Sequence, residues 1–489
     1  MLDLHINEEQ LKRTVQRARE RNIIIPTFEQ MKHPGLIPDS VKQELGDIGL
    51  WDVDPRNLFR ITWKNEPVAK GGTYGGVNWI EWPSELTGVP TRIIQLVGKW
   101  FPTGAHKVGA TFGCLVPRMV TGQFDPTYHK AVWPSTGNYC RGGAYDSALL
   151  ACESIAILPE EMSRERFDWL AKVAGEVIAT PGCESNVKEI FDKCWELKET
   201  RGDEVYIFNQ FDEFGNYRWH YDVTGHAMVE VLEQVMRDHD DFRGVALTTG
   251  SAGTIGCGDY LKQIFPTSKI AAGEALQCPT LLRNGFGGHR IEGIGDKHVP
   301  WIHNAQNTDL IIALDDNDTM GLVRLFNEPV GQEYLVKQGV PESYVEKLDL
   351  LGISGIANLL MTIKMAKWYE MDENDVLVTV ATDSMELYQS RMREMHEEHG
   401  EYTECEAAAA FERYLLGQDT ANMEELTYWD RKRVHNLKYY TWVEQQGKTY
   451  EEIQAQWYDD DYWTNFQEQI PELDELIKEF NARVGLTEE

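Results

Sequence analysis

The sequence is poor in positive charge. Its 489 residues hold 47 lysines and arginines against 79 aspartates and glutamates, a formal net charge of −32 at pH 7. Such a charge repels nucleic acids and anionic membranes, so neither is expected as a partner. A small anionic ligand would need a local site built from backbone amides or helix ends.

Cysteine and long apolar runs are also scarce. The eight cysteines include no CxxC pair, which favours reduced, mostly buried thiols in a cytoplasmic protein. The N-terminal residues lack a basic region followed by an apolar run, so no signal peptide is predicted. No segment approaches the roughly 18 consecutive apolar residues of a membrane span. We therefore expect a cytoplasmic protein. The sequence predicts no metal site.

Short apolar runs alternate with longer amphipathic segments between residues 92 and 392. Strands that alternate with helices predict parallel sheets with helices on both faces. Nine strands are more than one compact sheet comfortably holds, so we expect an α/β protein with two doubly wound domains and a cleft between them. The predicted strands are Ile93–Val97, Ala131–Trp133, Ser154–Leu158, Glu176–Ala179, Val205–Phe208, Val245–Thr248, Ile270–Ala272, Leu310–Leu314 and Val376–Val380.

The alternation stops near residue 392, where an acidic and aromatic-rich segment begins. Helices are predicted at Cys405–Leu416 and Tyr450–Tyr458, and the four alanines 407–410 suit tight helix packing. Clustered aromatic residues normally pack onto the body of a protein or onto a partner subunit. We therefore expect a helical C-terminal extension that wraps the core or forms an oligomer interface.

The predicted organisation has four parts. Residues 1–97 form an N-terminal segment that packs on the larger α/β domain, and residues 98–235 form the smaller α/β domain. Residues 236–392 form the larger α/β domain, and residues 393–489 form the acidic helical extension.

A lysine stands where a predicted strand turns into a predicted helix. Pro102 and Gly104 break regular structure after the strand, and apolar spacing predicts that a helix begins near Lys107. The positive end of a helix dipole disfavours a cation and depresses an amine pKa, which suits a Schiff-base lysine. Taken alone, the turn is more typical of a surface lysine in a loop than of a Schiff-base lysine.

A small-residue loop follows another strand and precedes the helical run 259–265. Small residues let backbone N–H groups converge on an anion, and the helix N-terminus adds partial positive charge. An ordinary strand–helix turn is the alternative. The candidate phosphate ligands in this loop are Gly250, Ser251, Ala252, Gly253 and Thr254.

Two further junctions carry polar groups. Residues 135–138, Ser-Thr-Gly-Asn, place hydroxyls, an amide and backbone N–H groups where they could hold a carboxylate, although the same residues also cap helices. Ser384 stands at the end of the last predicted strand, where ligands of open α/β folds bind. A lysine, a phosphate cradle, a hydroxyl/amide loop and this serine form the inventory needed to hold pyridoxal phosphate.

These motifs, in this order, resemble the fold type II pyridoxal-phosphate enzymes of the cysteine-synthase and tryptophan-synthase-β type. Residues 102–107, Pro-Thr-Gly-Ala-His-Lys, are similar to the family's Pro-Thr-Gly-Ser-x-Lys, which implies that Lys107 is the catalytic lysine and carries the cofactor. The resemblance also implies that Asn138 lies beside the ring hydroxyl, that Gly250–Thr254 hold the phosphate, and that Ser384 faces the pyridine nitrogen. It implies a substrate-carboxylate site made of Ser135, Thr136, Gly137, Asn138 and Gln210.

The resemblance implies β-elimination or β-replacement on a serine- or cysteine-type amino acid through an aminoacrylate intermediate, in a homodimer. An ammonia-lyase or desulfhydrase that uses the same residues is the alternative, and a non-catalytic phosphate-ligand binding or scaffold protein is a third. Residues 98–101, Gly-Lys-Trp-Phe, depart from the family pattern, as do Ala252 and the long extension. These departures leave the identity of the substrate undetermined, whereas the predicted cofactor stays the same.

Overall fold

The computed structural model describes residues 2–67, 72–135, 137–183 and 186–486. Each of the nine predicted runs is a strand, and short strands near residues 80 and 424 join them. In chain order the strands are β1 Trp79–Trp82, β2 Arg92–Val97, β3 Lys130–Pro134, β4 Glu153–Pro159, β5 Glu176–Thr180, β6 Val205–Ile207, β7 Asp241–Thr248, β8 Lys269–Ala275, β9 Leu310–Leu314, β10 Asp375–Ala381 and β11 Met423–Glu425.

The strands form two sheets. The larger sheet has the order β1-β2-β10-β7-β8-β9-β11, and the smaller sheet has the order β5-β4-β3-β6. All pairs of the smaller sheet are parallel, as are the pairs from β2 to β9 in the larger one. The two doubly wound sheets predicted from the alternation of strands and helices are thereby confirmed.

Helices connect the strands of both sheets and cover their faces. The helices that start before residue 392 are α1 Glu8–Glu20, α2 Phe28–Lys32, α3 Asp39–Leu45, α4 Ser84–Thr87, α5 Lys107–Val120, α6 Asn138–Leu149, α7 Arg164–Val173, α8 Val187–Arg201, α9 Phe214–Trp219, α10 Gly225–Val235, α11 Gly256–Ile264, α12 Thr280–Arg283, α13 Asp316–Asn327, α14 Pro329–Lys337, α15 Glu342–Val345, α16 Ile353–Trp368 and α17 Gln389–His399. Those of the extension are α18 Glu404–Ala410, α19 Tyr428–Lys438, α20 Tyr450–Tyr458, α21 Tyr462–Gln467 and α22 Ile470–Val484.

Strand β10 is a buried central strand of the larger sheet. All seven of its residues are buried, and α16 packs across it and β7. A strand covered on both faces is apolar throughout rather than alternating, which is the pattern of a central parallel strand. The carboxyl ends of β2, β10 and β7 lie together at one edge of this sheet.

The edges of the larger sheet differ from the predicted parallel pattern. β1 pairs with β2, and β11 pairs with β9, both in the antiparallel direction. β11 belongs to the extension, so this segment adds a strand to the sheet as well as helices. Strands of three or four residues carry too little periodicity to be recognised in a sequence.

The extension packs on the body of the molecule. The rings of Phe214 and Phe466 stack with centroids 3.7 Å apart, and the Trp442 indole donates a hydrogen bond to the Val299 carbonyl at 2.9 Å. The buried Lys438 amine donates to the carbonyls of Trp301 and His303. The aromatic residues of the extension therefore fasten the loop between β8 and β9.

In the described ranges, no helix joins the length to the apolar character that a bilayer crossing needs.

Candidate active site

Lys107 is the first residue of α5 and lies at the carboxyl edge of the larger sheet. The turn from β2 passes through Thr103 and Gly104, whose φ angles of 67° and 73° make a left-handed bend. The backbone N–H of His106 donates to the Thr382 carbonyl at 3.1 Å, just beyond β10. The lysine turn and the end of β10 are therefore held against each other.

The bulky residues before this turn pack behind it. The Phe101 ring is buried and lies edge-on to Trp63 at 5.0 Å and to Trp219 at 5.9 Å. Phe101, which belongs to the segment that departs from the family pattern, thus packs in an aromatic core behind Lys107.

The amine of Lys107 is close to the small-residue loop. Its Nζ donates to the Ser251 hydroxyl at 3.4 Å. Burial of the amine lowers the Lys107 pKa to about 8, although the nearby Asp296 carboxyl opposes this shift. Burial disfavours the charged amine, so a neutral, nucleophilic lysine is accessible near physiological pH.

The loop between β7 and α11 has the shape of an anion cradle. Ala252 has a φ of 63°, and within the described ranges the amides of Gly250, Ser251, Ala252 and Thr254 meet no hydrogen-bond acceptor. A Cβ on Gly253 would lie 2.0 Å from the Asn216 Oδ1. Free amides in a left-handed loop before a helix make a concavity that suits a phosphate.

Hydrogen bonds connect the predicted carboxylate site to this loop. The Gln210 side-chain amide donates to the Ser135 hydroxyl at 3.2 Å, and the Gly137 N–H donates to the same oxygen at 3.1 Å. The Asn216 Nδ2 donates to the Gln210 carbonyl at 3.0 Å and to the Ser251 hydroxyl at 2.9 Å. Thr136 lies outside the described residues.

Ser384 lies just beyond the end of β10. It is 1% exposed, and its hydroxyl makes no hydrogen bond within the part of the chain that is described. The neighbouring Asp383 accepts hydrogen bonds from the Asn138 Nδ2 at 2.5 Å and from the Tyr388 hydroxyl at 2.6 Å. Asn138 thus reaches the end of β10 with its amide, while its buried Oδ1 has no partner in the described ranges.

A buried ionic network below the carboxylate site was not predicted. The Arg166 guanidinium pairs with Glu292 and donates to the Tyr388 hydroxyl at 3.1 Å. A Cβ on Gly137 would lie 2.7 Å from the Arg166 Cζ, so the guanidinium supports this loop from beneath. Arg166 stands in an ordinary amphipathic helix, and nothing in the local sequence marks it.

Two further residues of the site were also missed. Asn216 links Gln210 to Ser251, and Asp296 places a buried carboxyl near Lys107, where burial raises the carboxyl pKa to about 8. Asp296 directly follows the glycine-rich turn 293–295, which was the available signal. Asn216 had no such marker.

Comparison with known proteins adds an independent observation. Residues 102–329 match the family model described as pyridoxal-phosphate dependent enzyme. A probable cysteine synthase of Bacillus subtilis (strain 168) is 27% identical over 290 residues, which are 59% of this chain and 85% of that protein. A cysteine synthase of Staphylococcus aureus (strain Mu50 / ATCC 700699) is 29% identical over 260 residues, which are 53% of this chain and 75% of that protein.

Solved structures support the fold. The O-acetyl serine sulfhydrylase isoform 3 from Entamoeba histolytica superposes with a TM-score of 0.56 and 21% sequence identity. The match covers 70% of this chain and 94% of that one.

Proposed function

Residues 102–329 are a pyridoxal-phosphate dependent enzyme domain, and from that premise we propose that this protein catalyses β-elimination and β-replacement on a serine- or cysteine-type amino acid. The observation that carries the proposal is the Lys107 amine, 3.4 Å from a hydroxyl of the loop with free amides. The cysteine synthases among the relatives support the same reaction class.

The residues present fit pyridoxal phosphate. The amides of Gly250, Ser251, Ala252 and Thr254 meet no acceptor within the described ranges, and a dianionic phosphate needs several such donors. The buried Asn138 Oδ1 has no partner there either. A cradle of free donors beside a buried lysine is the donor set that this cofactor requires.

We assign the roles as follows. Lys107 would carry the cofactor covalently, and residues 250–254 would hold its phosphate. Asn138 would interact with the ring hydroxyl, and Ser384 would interact with the ring nitrogen. The substrate carboxylate binds to the loop 135–138 together with Gln210, whose hydrogen bond to Ser135 orients the side chain.

When bound, pyridoxal phosphate supplies an electron sink that acidifies the α-carbon of an amino acid. The Lys107 Nζ accepts the α-proton, because burial keeps its pKa near 8 and makes the neutral amine accessible. Ser384 offers a neutral hydroxyl rather than a carboxylate, so it does not hold a proton on the ring nitrogen. That choice favours prompt loss of a β-substituent over transamination.

Replacing Lys107 with alanine tests the assignment. We expect Lys107→Ala to lose the visible absorbance of the protein-bound cofactor and all turnover, whereas Lys99→Ala, a lysine of the preceding turn that pairs with Asp349, keeps both. An unchanged spectrum in Lys107→Ala would refute the role. Wild-type protein is then screened with serine, O-acetylserine, O-phosphoserine, cysteine and threonine, with and without sulfide.

We also propose a cytoplasmic homodimer with the domain boundaries given above, at residues 97, 235 and 392. Six of the eight cysteines are buried, which suits a reducing compartment. Exposed aromatic residues of the extension, such as Trp429 at 77% exposure, offer surface for a second copy. Light scattering of the purified protein distinguishes a dimer from a monomer.

A further inference from the structure

The roles above do not use the buried carboxyl of Asp296, which interacts electrostatically with Lys107. The residue is 7% exposed, and its Oδ2 is buried without a hydrogen-bond partner in the described part of the chain. A buried polar atom left unpaired costs about 1–3 kcal/mol. An unpaired carboxyl oxygen near Lys107 points to a bound ligand that supplies its hydrogen-bond partner.

The backbone around Asp296 is held from several sides. The Gly295 N–H donates to the Thr249 carbonyl at 2.6 Å, at the start of the phosphate loop, and the Thr280 hydroxyl donates to the Asp296 carbonyl at 2.6 Å. Gly295 has a φ of 73°, and a Cβ there would lie 2.8 Å from the His289 ring. The position of the carboxyl is therefore built into the turn.

Burial of the Asp296 carboxyl favours its protonated form. Two titratable groups interact electrostatically with this carboxyl. They are Lys107 of α5 and Cys278 in the segment after β8. Burial raises the Asp296 pKa to about 8, and the Lys107 charge opposes the rise. A carboxyl that is neutral near pH 7 can give a proton away.

We propose, on the basis of the function above, that Asp296 protonates the departing β-substituent, so that the substrates are amino acids with a poor leaving group: serine or cysteine. As the Cα–H bond breaks, its proton passes to the Lys107 Nζ and its electron pair forms the Cα–Cβ double bond. The Cβ–O or Cβ–S bond breaks and leaves its electron pair on oxygen or sulfur. That atom takes the proton from the Asp296 Oδ2 and departs as water or hydrogen sulfide.

In a replacement, the same carboxylate completes the cycle. An incoming thiol gives its proton to the Asp296 carboxylate as its sulfur bonds to Cβ, which restores the acid. The Cα–Cβ double bond opens in the same step, and Cα takes its proton back from the Lys107 Nζ. Activated esters and halides need no such proton, because acetate and chloride are stable anions when they leave.

Asp296→Asn, compared on two kinds of substrate, tests the proposal. We expect kcat/KM to fall about 100-fold or more with serine and cysteine, the usual contribution of a general acid. With β-chloroalanine, kcat/KM should change little. Asp474→Asn is the matched control, because Asp474 is also a buried carboxyl but accepts from the Phe28 and Glu29 amides, outside the cleft.

A second readout does not depend on turnover. In the cofactor-free protein, competitive labelling of lysine amines reports the pKa of Lys107. Asp296→Asn should lower that pKa, because the Asp296 carboxylate raises it in the wild type. Asp474→Asn should leave it unchanged.

The outcomes separate the two proposals. Equal losses on all substrates, or an unchanged Lys107 pKa, would overturn the role of Asp296. Wild-type turnover of β-chloroalanine or O-acetylserine without turnover of serine or cysteine would also overturn it, while leaving the proposed function intact. Turnover of none of these compounds would instead refute the proposed function itself.

Discussion

Gly253→Ala is the substitution whose effect the structure allows to be worked out most fully. A Cβ at this position would lie 2.0 Å from the Oδ1, 2.4 Å from the Cγ and 2.7 Å from the Nδ2 of Asn216. All three contacts are far below van der Waals separation. The amide of Asn216 must therefore move, or the loop must shift away from it.

The cost follows from what Asn216 holds. Its Nδ2 donates to the Gln210 carbonyl and to the Ser251 hydroxyl, and two such bonds contribute about 1–3 kcal/mol together. Overpacking a close-fitted site adds about 1–3 kcal/mol. We expect Gly253→Ala to lower the free energy of unfolding by about 2–6 kcal/mol and to weaken cofactor binding, because Ser251 belongs to the cradle.

Denaturant unfolding of the cofactor-free protein measures the first effect, and equilibrium titration with pyridoxal phosphate measures the second. A double-mutant cycle with Asn216→Ala identifies the cause, since contacting residues couple and distant ones do not. In the Asn216→Ala background the added methyl group meets no amide, so Gly253→Ala should cost little there. Additive losses, or a Gly253→Ala protein with wild-type stability and affinity, would refute this reasoning.

Three further predictions concern stability and are checked by denaturant unfolding. Ala252→Gly should raise the free energy of unfolding by about 0.5–1 kcal/mol, because Ala252 has a φ of 63°; a loss would contradict this. Lys438→Met should lower it by about 2–4 kcal/mol, since the hydrogen bonds from the Lys438 amine to the carbonyls of Trp301 and His303 and to the Gln456 Oε1 are lost; wild-type stability would contradict this. Burial lowers the His303 pKa to about 3, so the unfolded chain takes up the proton first and stability falls as pH decreases below about 6.5. The loss from this group is about 2 kcal/mol at about pH 5, and His303→Asn should show a correspondingly shallower pH dependence, whereas an unchanged slope would contradict it.

Much of the fold was predictable because it is encoded locally. A central strand such as β10 is apolar apart from Asp375 and Thr379, and most of the predicted runs are short and largely buried. The antiparallel edge strands β1 and β11 were not predicted, since three or four residues carry no clear period. Their pairing depends on the partner strand, which lies far away in the sequence.

The candidate site divides in the same way. The sequence by itself indicated the lysine turn, the small-residue loop proposed to hold the phosphate and the cofactor class, because each motif is a contiguous stretch whose chemistry depends on its own residues. It did not reveal Arg166, Asn216 or Asp296, whose roles arise only from the proximity of Arg166 to Gly137, the hydrogen bond from Asn216 to Ser251 and the electrostatic interaction of Asp296 with Lys107.

Only the tertiary structure decided which groups are buried together and which are left without partners. Asn138 meets Asp383 across 245 positions of sequence, and the Lys107 amine meets Ser251 across 144. Burial then sets the pKa values of Lys107 and Asp296 near 8, a property that neither residue has in water. The motifs proposed to hold the cofactor are thus contiguous in the sequence, whereas the protonation state of Asp296, the proposed acid, depends on how distant segments pack.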